Sequence, residues 1–600
     1  MKYTLYTGAF VAAALLLSCD AAKTVSSEVT EEISEEIEDV GSELAPMETV
    51  DLSYMNTSVR PQDDFFEFSN GTWIKENPVP PSESRWGSFN ELQDSNNEKL
   101  KAILEEASKN ASSGDEVDRI IGNYYMAYMD MESRNAKGLT PIMGELERID
   151  KMNSKKDLVN VIAKHHVDGI GSLFGFGVGQ DLKDVDNTIS YFGQGGIGLP
   201  NRDYYFAKDK AEILEKYQKH ISSIMNRFKM EDRQSSEFAI SVVGFETKLA
   251  ENMLPPAEMR IPEKTYNKYG KKQFIQEAGR FDMASYLQGI GSQSFDSLIV
   301  GQPEFLAGIA KLITDAPLDE WKNYLKWKVI DHYAGHLDEK MVQLNFDFYG
   351  VVLRGKKERK EMYKEGIDAI TGSPFSEVLG RAFVEKHYSE SAKDRVNTMV
   401  DNLLTVFQGR INNLEWMSQE TKDQALIKLN AIGRKLGYPS KWEDFSSLQF
   451  SKDNYLANVT AAAHYAHKKN MAELNKPVDK EEWGMPAHMV NAYYHPLLNE
   501  IAFPAGIMQA PFFSDSYEDA VNYGRIGMVI GHEFTHGFDD MGSKFAADGS
   551  FMNWWTESDR KLFEERTEKL GNTYSGFCPI DGHCVNPDLT MGENLSLIHI

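Results

Sequence analysis

Two histidines four residues apart flank a glutamate in the run His532-Glu533-Phe534-Thr535-His536. On a helix, side chains at i and i+4 share a face, so both imidazoles can converge on one metal ion. Glu533 is the next residue round, near enough to take a proton from a water at the ion without joining the ligand set. Such a set does metal-assisted hydrolysis of a peptide bond. Two imidazoles leave it incomplete, because a hydrolytic zinc site needs a third protein ligand and one open position. The candidate third ligand is Glu593 in Gly592-Glu593-Asn594, far enough downstream to arrive on a second helix and give a His-His-Glu set for one Zn2+ per chain. A buried helix carrying surface histidines is the competing reading.

The elements that must position these groups are mostly helical. From Asn522 to Met541 the chain reads as one helix, with Ile526, Val529, Ile530 and Phe534 on its apolar side and Gly542 as its stop. Asn397 to Leu414 and Glu420 to Leu436 also space apolar residues three and four apart, the pattern of helices with one buried face. Strand signals are sparse. Met489 to Tyr494 and Glu500 to Phe503 are rich in Val, Ile, Phe and Tyr and are interrupted by His495-Pro496. Pro504 then marks an edge or a strand terminus. An exposed edge just before the metal helix would let an extended peptide add as a strand, although an ordinary structural hairpin fits the same residues.

A chain of 600 residues exceeds one core, so two or more lobes are expected. Acidic residues number 91 against 64 basic ones, a net charge of -27, which argues against nucleic acid as a partner. Residues 1–19 read as a signal segment, and Leu16-Leu17-Ser18-Cys19 resembles a lipobox, implying cleavage and lipidation at Cys19. Residues 20–55, rich in Glu and Asp, read as an acidic disordered tether. A body held to the membrane through an N-terminal lipid anchor, in a bacterial cell envelope, follows as an expectation. Cys578 and Cys584 remain, able either to pair or to stay as two free thiols.

Ordered blocks along the chain resemble the neprilysin and endothelin-converting-enzyme family of zinc metallopeptidases. They include Asp63-Asp64-Phe65-Phe66, Asn70-Gly71-Thr72-Trp73, Trp86-Gly87-Ser88-Phe89, Gly198 to Tyr205, Leu414-Glu415-Trp416-Met417, Gly437-Tyr438-Pro439, Asn491-Ala492-Tyr493-Tyr494, Phe503-Pro504-Ala505-Gly506 and Val529 to Glu533. The resemblance implies a mainly α, two-lobed metallopeptidase enclosing a central chamber, with a thermolysin-like catalytic lobe, a small β-sheet and short peptides as substrates. It implies His532, His536 and Glu593 as zinc ligands, Glu533 as base, and Asn491 and Ala492 as partners of the substrate backbone. The expected regions are 56–445, with a lid lobe at about 95–380, and a catalytic region at 446–594.

The resemblance also has departures. Where the family carries an aspartate one turn after the glutamate ligand, this chain has Leu597. Asp539 and Asp540 are candidate substitutes for orienting a zinc histidine, against a reading of both as surface residues at a helix end. Residues 595–600, Leu-Ser-Leu-Ile-His-Ile, match the translation of a common library adapter and are expected to be a non-native tail on a truncated chain. The alternative function is therefore a zinc- or peptide-binding lipoprotein without turnover.

Overall fold

The computed structural model describes residues 51–292, 294–580 and 582–598, the side chains of Leu597 and Ile598 excepted. The signal segment with Cys19, most of the tether and residues 599–600 lie outside the described residues. The described chain is mainly α-helical with two small sheets, and it divides into a unit ending at Asn77 and a large one from Pro78 onward. No described helix is long and apolar enough to cross a membrane.

In the small unit, Asp64 caps the helix Phe65–Glu76 by accepting the Glu67 N–H at 2.9 Å. Thr72 and Asn56 tie that helix back to the preceding turn, through the Met55 carbonyl and the Glu67 carboxylate, each at 2.9 Å.

The large unit holds several apolar cores. The largest is built from residues 142–348 and includes the fully buried Trp321, Trp327, Tyr217, Tyr286 and Tyr324. Its sheet has the order β1-β2-β4-β3, with β1 Phe174–Gln180, β2 Thr188–Gln194, β3 Lys268–Gly270 and β4 Ser297–Val300. A second core joins residues 100–128 and 367–383 to residues 445–462. The stretches at either end of the expected lid thus pack with residues beyond 445, outside the largest core. A third core, from residues 392–436 and 492–534, lies beneath the metal motif.

Within the largest core the Gly198 to Tyr205 block folds onto a buried carboxylate. The Tyr205 hydroxyl donates to Glu246 at 2.8 Å and accepts the N–H groups of Gly198 and Leu199 at 3.3 Å. Burial pushes Glu246 up to about 7, against the pull of Lys328 and the Tyr205 hydrogen bond. A carboxyl raised on folding stabilises the native state fully below its unfolded value, and that stability is lost as pH rises through about 7. Glu246→Gln should therefore flatten the fall in thermal midpoint between pH 5 and pH 8. Parallel curves for the two proteins would refute the assignment.

The second sheet, order β5-β7-β6, carries the metal helix on its flank. β7 (Glu500–Pro504) is buried throughout and pairs parallel with β5 (Gly433–Gly437) and antiparallel with β6 (Tyr493–His495). Pro504 is the last residue of β7, where its missing N–H costs no ladder bond. The helix expected over Glu420 to Leu436 ends at Asn430, and the remainder becomes β5. Ile432 and Leu436 are four apart, a spacing that shares one face on a strand as well as on a helix. The Gly433 N–H bonded to Asn499 O at 2.8 Å selects the strand. The first hairpin strand is also shorter than expected, starting at Tyr493.

Candidate active site

The metal motif lies on the helix Ile526–His536, which turns Ile526, Val529, Ile530 and Phe534 into the third core. The single helix expected from Asn522 to Met541 is interrupted at both ends. Arg525 leaves helical geometry, and the Ile526 N–H bonds to Phe512 O at 3.0 Å, outside the helix. Beyond His536 the Asp539 carboxylate takes the Met541 and Gly542 N–H groups at 2.8 and 2.6 Å, closing a tight turn. A side-chain acceptor there substitutes for continued helical bonding.

The two imidazoles face each other, Nε2 to Nε2, at 3.0 Å. Glu593 comes from the helix Pro587–Ile598, which packs against the metal helix and the helix Glu557–Tyr574. Its carboxylate oxygens lie 3.4 Å from His532 Nε2 and 3.8 Å from His536 Nε2. The neighbouring Gly592 permits this approach: a Cβ there would sit 2.8 Å from Asp539 Oδ2 and 3.3 Å from Asp540 Oδ1. The loop between these last two helices is closed by a Cys578–Cys584 disulfide, the paired alternative of the two open at the sequence level.

Glu533 competes geometrically for the metal, since its carboxylate and both imidazoles lie within 4.8 Å of one another. Its surroundings differ from those of Glu593. Glu533 is buried, while the Glu593 side chain is 63% exposed and points at both Nε2 atoms. Burial pushes Glu533 up to about 7, with Glu593 adding to the shift and His536 opposing it.

Asp539 is buried, and its Oδ2 lies 2.9 Å from His536 Nδ1. That contact holds the ring with Nε2 turned to the site, the arrangement a zinc-ligating histidine needs. The surface-cap reading of Asp539 therefore fails: the turn folds it inward. Burial lowers the His536 imidazole, but the Asp539 hydrogen bond and charge outweigh this and leave it raised. Asp540 turns elsewhere, 3.4 Å from Arg260, and is pushed up to about 6 by burial and by Asp539. Among the described residues, none gives the buried His532 Nδ1 a hydrogen-bond partner.

Asn491 and Ala492 directly precede β6, an edge strand of the sheet, with Asn491 exposed and Ala492 buried. Two supporting residues gave no sequence signal of their role. Lys428, on the helix Gln419–Asn430, is 1% exposed and donates to the carbonyls of Gly542 and Phe545, each at 2.7 Å. Burial lowers its ammonium to about 7 against the attraction of Asp539. Asn499 donates to Lys428 O and Ala547 O at 3.0 Å and accepts the Tyr494 hydroxyl at 2.8 Å. A separate apolar cavity of about 1120 Å³ lies behind the metal helix, lined by Gly531, Phe534, Thr535, Trp416 and Phe563. Neither imidazole lines it.

Two imidazoles and a carboxylate, each on a helix of a mainly α fold and converging within bonding reach of one point, form the donor set of a metallopeptidase. The chain belongs to peptidase family M13, whose two family models match residues 61–439 and 491–596. Endothelin-converting enzyme 1 of Mus musculus is 30% identical over 566 residues, spanning 91% of this chain and 73% of that protein. Zinc metalloprotease ZMP1 of Mycobacterium tuberculosis in complex with an inhibitor superposes with a TM-score of 0.87 at 34% identity, over 91% of this chain and 84% of that one. The same enzyme in its open state gives a TM-score of 0.71 at 34% identity, over 90% and 84%.

Proposed function

We propose that this chain is a zinc-dependent endopeptidase of short, extended peptides, binding one zinc ion through His532, His536 and Glu593. The observation that carries this reading is the convergence of a Glu593 oxygen and two Nε2 atoms, with His536 fixed by Asp539. The donor set fits zinc, since two nitrogens and one carboxylate leave a fourth position open. Bound zinc supplies a Lewis acid that polarises the scissile carbonyl and acidifies water. Glu533 takes the proton from the attacking water and passes it to the leaving amine. Asn491 and Ala492 hold the peptide backbone as it extends along β6, an edge strand of the sheet.

Metal analysis and cleavage of an internally quenched peptide test the reading together. One zinc per chain, with cleavage lost on chelation and restored by zinc, is the expected result. Stoichiometric zinc without cleavage would favour the binding-only alternative, and no stoichiometric zinc would sink the metal site. The chain acts at a bacterial cell envelope, anchored through Cys19. Cys19→Ala should move the protein from the detergent phase to the aqueous phase in a partition assay, and an unchanged distribution would count against the anchor.

A further inference from the structure

Burying an ammonium group is costly unless its donors are satisfied, so a buried lysine with no bonded carboxylate calls for a reason. Lys428 Nζ is held by two main-chain carbonyls, Gly542 and Phe545, and lies over the rings of Tyr494, Phe538 and Trp554 at 5.6 to 5.9 Å. The carbonyls it grips belong to the 3-10 turn Gly542–Lys544 and the residue that follows it. The Gly542 N–H and that of Met541 both donate to Asp539 Oδ1, and Asp539 Oδ2 meets His536 Nδ1. The main-chain oxygen of Lys428 holds Asn499, which accepts the Tyr494 hydroxyl. The Lys428 side chain thus stands behind the turn that fixes Asp539 against His536.

We infer that Lys428 is a positioning residue for the zinc site, acting through the 541–545 turn and Asp539 to fix His536. This rests on the metal site proposed above. Two independent packing facts support it. Removing the ammonium would leave the Gly542 and Phe545 carbonyls in a buried pocket without their donor. The pocket is also walled by three aromatic rings, whose faces favour a cation over a neutral side chain.

The test is a double-mutant cycle on zinc affinity, read by chelator competition on the full chain, with Lys428→Met, Asp539→Asn and the pair. Each single variant should weaken zinc about 10-fold, the low end for groups that orient a ligand. The pair should be no weaker than Asp539→Asn alone, because both act through one carboxylate. Should Lys428→Met not fold, Lys428→Gln, whose amide keeps N–H donors but no charge, takes its place in the same cycle. Wild-type zinc affinity in the Lys428 variants, with thermal midpoints lowered equally with and without zinc, would mean a purely structural lysine and would overturn the inference. Additive losses in the pair would also overturn it, by placing the effect of Lys428 elsewhere. If the wild-type chain binds no stoichiometric zinc, the metal site itself fails, an outcome separate from these.

Discussion

Glu533→Gln is expected to leave zinc at one per chain and to slow peptide cleavage by about 10²- to 10⁴-fold, the usual contribution of a positioned general base. Glutamine has the shape of the glutamate, but it cannot take a proton from water. The loss should therefore fall on kcat, with KM little changed. Metal content carries the second half of the prediction, because the geometry offers two carboxylates to one ion. If Glu593 is the ligand, Glu593→Gln loses zinc and Glu533→Gln does not. Retention of cleavage within ten-fold in Glu533→Gln, or loss of zinc from it, would reverse the two roles.

The asymmetry between those carboxylates comes from their placement in the fold. Glu533 is on the same helix as both histidines, and that helix packs against β6, so burial is built into its position. Glu593 arrives on a separate helix and stays exposed, which suits a group that must change from solvated carboxylate to metal ligand. Among the described residues, only one of the two histidines finds a partner for its second nitrogen: His536 has Asp539, while His532 Nδ1 has none. Loss of zinc on acidification should accordingly depend on His536 and His532 unequally, since a buttressed imidazole is held in its ligating orientation before the ion arrives.

The metal motif was legible in the amino-acid sequence because its logic is local, with i and i+4 on one helix face. Glu593 was reachable only through the blocks around it, since a lone glutamate in an acidic chain carries little signal. What could not be read were features decided by distant contacts. The metal helix ends at His536 because the Asp539 side chain satisfies two N–H groups of the next turn, and it starts at Ile526 because Phe512 O captures the Ile526 N–H. Residues 433–436 looked helical because a spacing of four suits both periods, and pairing with β7 decided between them. Lys428 was invisible for a plainer reason: a lysine on an amphipathic helix is ordinarily solvated, and only the turn packed over it makes this one a donor to buried carbonyls.

That turn also sets the second large prediction. Gly542→Ala is expected to destabilise the folded chain by about 4 kcal/mol or more and to abolish stoichiometric zinc binding at micromolar metal, as steric conflicts with backbone atoms fall at the severe end of single substitutions. A Cβ at Gly542 would overlap the His536 carbonyl oxygen and lie 2.9 Å from the carbonyl carbons of His536 and Gly537. All of these are main-chain atoms, so no rotamer change relieves the clash. Either the turn moves away from the end of the metal helix or the helix end unwinds. The first course breaks the Gly542 N–H bond to Asp539 and the Gly542 carbonyl bond to Lys428; the second moves His536 itself. Gly592→Ala provides the comparison, because its Cβ would meet side-chain oxygens, Asp539 Oδ2 at 2.8 Å and Asp540 Oδ1 at 3.3 Å, and so would disturb the Asp539 contact with His536 while leaving the main chain of the helix end in place. Thermal unfolding and zinc titration of the two variants should separate them, with Gly542→Ala losing far more in both. Equal losses would mean that the rigidity of this turn is not what holds His536 in place.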